Sequence, residues 1–123
     1  MPNLETLRPS IDNQDYLDRL YDMGVFEKKL DVWAYCAAYA MAKGLAPAPN
    51  SGSQMGSDLV HLDREMLETL TVAVQSQSES KLGVEELLSR LSAYASAGIA
   101  DIRRQTEGKT RAQVYEYILG QLE

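Results

Sequence analysis

His61 is the single histidine of this chain, and Asp63, Glu65 and Glu68 follow closely enough to suggest a nitrogen-and-oxygen ligand set for a metal ion. The spacing argues against that reading. Asp63 has the position of a helix N-cap, which leaves His61 ahead of the helix rather than one turn from Glu65 on a shared face. No metal and no cofactor is expected. Cys36, the only cysteine, has no nearby histidine and no basic flank to depress its thiol, so a catalytic nucleophile is not expected either. Between Tyr35 and Ala37 it reads as a small hydrophobe.

Two charge clusters suit recognition better than catalysis. Asp12, Asp15, Asp18 and Asp22 follow at steps of three or four residues, which on one helix makes an acidic side suited to a basic protein partner. Arg103, Arg104, Lys109 and Arg111 are opposed locally only by Glu107 and form the one patch that could meet phosphate. Lys28 and Lys29 make a smaller patch. There is no Walker loop, GxGxxG, CxxC or GxSxG pattern, and Gly52 and Gly56 lack the following lysine that a phosphate cradle requires. Nothing here specifies an enzyme.

The scaffold that must position these groups is small. The chain has 123 residues, 45% hydrophobic and 24% charged, a size and composition that fit one domain with its own core over residues 1–123. Its 12 basic and 18 acidic residues leave a net charge of −6, the wrong sign for a surface lying wholly on nucleic acid. The amino-terminal stretch has neither a basic nor an apolar signal region, and no apolar window reaches the roughly 18 residues of a membrane span. A cytoplasmic location without membrane contact is expected.

Hydrophobic spacing predicts an all-α fold, a compact bundle of about five helices around a central apolar one, with residues 1–9 as an N-terminal extension. The first helix is expected over residues 10–22, capped by Ser10 or Asp12. The second begins near Val25-Phe26, runs to Met41 or Ala42 and stops at Gly44. Phe26, Leu30, Trp33, Ala34, Ala37 and Met41 fall at helical spacing, while Val32, Tyr35, Cys36 and Tyr39 make the other faces apolar, so this helix belongs in the centre. Residues 45–57 hold prolines, glycines and serines without a charge, which predicts a flexible loop. A third helix follows Asp63 to about Gln75. The fourth opens at Val84 with the cleanest amphipathic pattern, and Gly98 inside it implies a bend or a close helix contact. Thr110 and Gln113 carry a capping-box signature for the last helix, with Val114, Tyr115, Ile118, Leu119 and Leu122 as its apolar positions.

GVFEKKLDVWAYCAAYAMAKG, from Gly24 to Gly44, and LLSRLSAYASAGIADI, from Leu87 to Ile102, carry a family likeness in their Phe26, Asp31, Val32, Ala37, Ala38, Tyr94, Ala95, Gly98 and Ile99 positions. Together they resemble two stretches of the small proteins encoded beside bacterial DNA phosphorothioation genes of the Dnd type, in order, separation and total length. In those proteins a glycine and a basic insertion follow the alanine-rich helix, whereas here the neutral 45–57 segment stands in that place. The resemblance implies a shared fold and an accessory role in anti-phage defence or DNA modification, exerted through contact with larger protein components.

The expectation is therefore a non-enzymatic accessory or adaptor protein, docking through Asp12, Asp15, Asp18 and Asp22 or through exposed aromatic residues. The alternative is a small DNA-binding regulator that uses Arg103, Arg104, Lys109 and Arg111, as a homodimer so that two weak patches add.

Overall fold

Residues 29–42 form the helix around which the rest of the chain is arranged. In a computed structural model, which describes residues 3–49 and 52–122, it is α2 (Lys29–Ala42), preceded by α1 (Gln14–Tyr21) and followed by α3 (Arg64–Gln75), α4 (Val84–Thr106) and α5 (Arg111–Leu122). Three-residue 3-10 turns at Leu4–Thr6 and Leu59–His61 and two short strands, β1 (Ser10–Ile11) and β2 (Ser53–Gln54), complete it. The expected helical bundle around a central apolar helix is what forms. Among the described residues no helix is long and apolar enough to cross a membrane.

The main neighbour of α2 is α4. Trp33, Cys36, Ala37 and Ala40 are fully buried on α2, as are Leu91, Ala95, Ile99 and Ile102 on α4. The two backbones come closest at Gly98, where a β-carbon would overlap the carbonyl group of Cys36. The glycine that sequence alone marks as a bend or a contact is thus a contact. Burial also pushes the Cys36 thiol up, which keeps it protonated and suits it to packing.

Helix α1 begins at Gln14 rather than Ser10, and neither Ser10 nor Asp12 caps it. Residues 10–12 are extended because buried side chains of two other helices hold their backbone. Ser92 and Ser96, one turn apart on α4, accept the N–H groups of Ser10 and Asp12 at 3.2 and 3.0 Å, and Trp33 Nε1 donates to the Ser10 carbonyl at 3.1 Å. These tertiary bonds outweigh the local helical pattern. Asn13 then turns the chain into α1 with a left-handed backbone (φ 57°), a conformation asparagine tolerates better than most residues.

β1 pairs antiparallel with β2, Ser10 opposite Gln54 and Ile11 opposite Ser53. The 45–57 segment, expected as a flexible loop, is therefore tied to the body. Gly52 lies against the Ile11 backbone with no room for a side chain, Ala48 N–H bonds the Ala93 carbonyl at 3.1 Å, and Met55 is buried with its N–H on Pro9 at 2.8 Å. The extension is anchored too, since the Leu7 carbonyl accepts from Leu59 at 3.0 Å. Residues 1–2 and 50–51 of these two segments lie outside the described residues.

The remaining helix starts follow the sequence more closely. Asp63 Oδ2 accepts the Met66 N–H at 3.1 Å, so α3 has the expected N-cap. Thr110 and Gln113 bond each other reciprocally at 2.9 and 3.2 Å, and that capping box opens α5. α2 begins at Lys29, later than expected, so Phe26 lies in the irregular segment before it.

Candidate functional site

Neither charge cluster is a free surface. Asp12 precedes α1 and Asp22 is its C-cap, so the four aspartates do not share one helical face. Asp15 pairs with Arg103 at 3.4 Å and Asp18 with Lys29 at 2.9 Å, and the Asp22 carbonyl accepts from Arg111 at 2.7 Å. Arg103 also donates to Asn13 at 3.0 Å and lies over the Tyr16 ring, while Arg104 pairs with Asp101. The acidic helix and the basic end thus meet in one ion pair, Asp15 with Arg103, and in the bond from Arg111 to the Asp22 carbonyl. Lys109 alone of the four expected cations has a side chain that makes no hydrogen bond or ion pair among the described residues; it lines a small polar cleft of about 140 Å3 with Arg19 and Arg103.

His61 is exposed in its 3-10 turn, and among the described residues no group of three metal-ligating side chains comes together.

A different constellation lies along α2. Asp31, Tyr35, Tyr39 and Lys43 occur at four-residue steps and form one ridge that walls an open cleft of about 430 Å3. Phe26, the start of α3 at Asp63 and Met66, and Gln121 at the end of α5 close the other sides. Ala34, Ala38 and Ala42 keep the floor shallow and apolar. The Phe26 and Tyr35 ring centroids are 5.3 Å apart and those of Tyr35 and Tyr39 6.1 Å, both tilted, so the three rings make a continuous aromatic wall.

Behind this wall runs an ordered chain of donors. Tyr39 donates its one proton to Asp101 Oδ2 at 2.7 Å, so in the 2.6 Å contact between Tyr39 and Tyr117 the latter must donate. Lys43 Nζ reaches the Tyr117 hydroxyl at 3.4 Å and lies 4.8 and 5.8 Å from the centroids of the Tyr39 and Tyr117 rings. The chain therefore runs from Lys43 through Tyr117 and Tyr39 to a buried carboxylate. Burial by itself would raise Asp101, but the Tyr39 and Arg104 hydrogen bonds, with the charges of Arg104 and Lys43, hold it below its ordinary value. Burial, joined by the bonds to Tyr117 and Asp101, pushes the Tyr39 hydroxyl well up, so it stays a donor.

Tyr35 differs from Tyr39. Its hydroxyl is sealed from solvent and has no hydrogen-bond partner, the one such side-chain atom among the described residues. Sequence reasoning missed this site because it treated Tyr35 and Tyr39 as generic core. The ridge spacing, with an acid at one end and a lysine at the other, was the signal available.

No family model, curated protein or solved structure matches this chain.

Proposed function

We propose that the protein is a non-enzymatic accessory subunit that binds a larger protein component through the outer face of α5. The observation that carries this reading is the two-sided character of that helix. Val114 and Ile118 are buried against the body, while Tyr115 and Leu119, also one turn apart, are 41% and 36% exposed. Single exposed apolar residues are ordinary on a protein surface, but a paired row with an aromatic member on a helix already docked by its other side suits a helix-to-protein contact.

The likeness to small proteins encoded beside Dnd-type genes points to the partner's kind, a larger component of a bacterial anti-phage defence or DNA-modification complex. The two stretches that carry it hold α2 and most of α4, so all of the shared positions but Phe26 lie on one packed helix pair. The DNA-binding alternative has less support, because Arg103, Arg104 and Arg111 are each engaged within the chain.

Co-expression with the products of the neighbouring genes, followed by gel filtration, tests the reading. Wild type should co-elute with a larger product, and the Tyr115→Ser, Leu119→Ser double variant should not, with its circular dichroism unchanged. Co-elution that survives the double variant would remove α5 as the contact. A salt-dependent shift of duplex DNA at micromolar protein would favour the regulator instead.

A further inference from the structure

The aromatic ridge of α2 already holds one cation. At its C-terminal half the Lys43 ammonium lies over the Tyr39 and Tyr117 rings, with Asp101 behind them supplying the opposing charge. The N-terminal half repeats the same chemistry without a cation. Tyr35 and Phe26 supply the rings, and Asp31 is a half-buried carboxylate that makes no hydrogen bond or ion pair among the described residues. Side chains on a helix lean toward its N-terminus, so Tyr35 leans over the turn that carries Asp31, and its ring contact with Phe26, which precedes the helix, agrees with that direction.

We propose that this half of the cleft is a binding site for a small organic cation, a protonated amine on an aromatic or aliphatic body. The ammonium sits between the Asp31 carboxylate and the Tyr35 hydroxyl oxygen, which gains the partner it lacks. The body lies against Phe26, Ala34, Ala38 and Met66. The cleft volume of about 430 Å3 falls within the range of small-molecule sites. The balance of charge selects a cation over an anion, because Asp31 and Asp63 line the cleft while its only lysine is committed to Tyr39 and Tyr117. Binding at the sealed hydroxyl requires the neighbouring Phe26 ring to give way, and Phe26 belongs to irregular backbone, a part of the wall not held by helical hydrogen bonds. This site is independent of the outer face of α5.

Titration of the whole protein at neutral pH, followed by amide chemical shifts, tests the assignment with 2-phenylethylamine as probe and 2-phenylethanol and phenylacetate as neutral and anionic counterparts. The amine should bind with a Kd below about 1 mM and at least about tenfold more tightly than either counterpart. Asp31→Asn should weaken it by about fivefold or more with the helical dichroism retained. Tyr35→Phe should weaken it while the thermal midpoint of the free protein stays level or rises, since that change removes an unpartnered buried hydroxyl. A merely structural tyrosine would move both in the same direction. Equal or tighter binding of phenylacetate, no shifts at about 10 mM amine, or a Kd indifferent to both substitutions would each overturn the proposal.

Discussion

The carbonyl group of Cys36 occupies the space that a side chain would need at Gly98, so α2 and α4 meet main chain to main chain at that point. Alanine is the better helix former by about 1 kcal/mol, and on propensity alone Gly98→Ala would stabilise α4. Overlap with backbone atoms cannot be relieved by a rotamer change, and overpacking of this kind costs about 1–3 kcal/mol or more. Gly98→Ala should therefore lower the urea midpoint. A raised midpoint would show that the helices are further apart than described.

Trp33 is fully enclosed and its indole N–H bonds the Ser10 carbonyl at 3.1 Å, so it joins the central helix to β1. Trp33→Ala should cost about 3–5 kcal/mol, read from equilibrium unfolding. A near-neutral result would remove α2 from the centre of the core.

Asp101 makes stability depend on acidity with a defined sign. Its native value lies below the ordinary 3.8, because Tyr39 and Arg104 together outweigh the cost of its burial. On acidification the unfolded chain takes up this proton first, so the contribution is complete above about pH 4 and is lost as pH falls through the lower native value. Asp101→Asn should give a protein less stable at neutral pH, with a flatter loss of stability below about pH 4. Parallel acid limbs for the two proteins would contradict the assignment.

The two observed caps should contribute separately. Asp63→Ala removes the acceptor for the Met66 N–H and Thr110→Ala the acceptor for the Gln113 N–H, each at a cost of about 1 kcal/mol. The sites lie on different helices, so the double variant should lose close to the sum. Thermal unfolding of the three variants provides the check.

What the sequence made legible was whatever depends on neighbours along the chain. The α3 cap, the α5 capping box and the apolar run of α2 are local patterns, and each appears where it was expected. Residues 10–12 misled because their spacing is helical while their hydrogen-bond partners, Ser92 and Ser96, look in sequence like polar interruptions of an amphipathic helix. The 45–57 segment misled for a related reason. Its composition signals irregular backbone, which it has, but says nothing of Met55 being buried or of β2 pairing with β1.

The charge clusters show a second limit of the same kind. Periodicity places Asp15 and Asp18 on an outer face, yet only the fold reveals that Arg103 and Lys29 stand opposite them. The cleft residues were visible as types without a role. Asp31, Tyr35, Tyr39 and Lys43 mark a ridge by spacing, but the empty bonding capacity of Tyr35 and the chain from Lys43 to Asp101 exist only in three dimensions.

The bonds from Ser92 and Ser96 to the strand at residues 10–12 span 82 and 84 positions of sequence. Such contacts close long loops and carry the entropic cost of doing so. On the ribosome, the N–H groups of Ser10 and Asp12 must wait until the middle of α4 has emerged before they meet Ser92 and Ser96. These two groups are thus made long before their acceptors, and amide exchange should find the protection of Ser10 and Asp12 among the last to be gained on refolding.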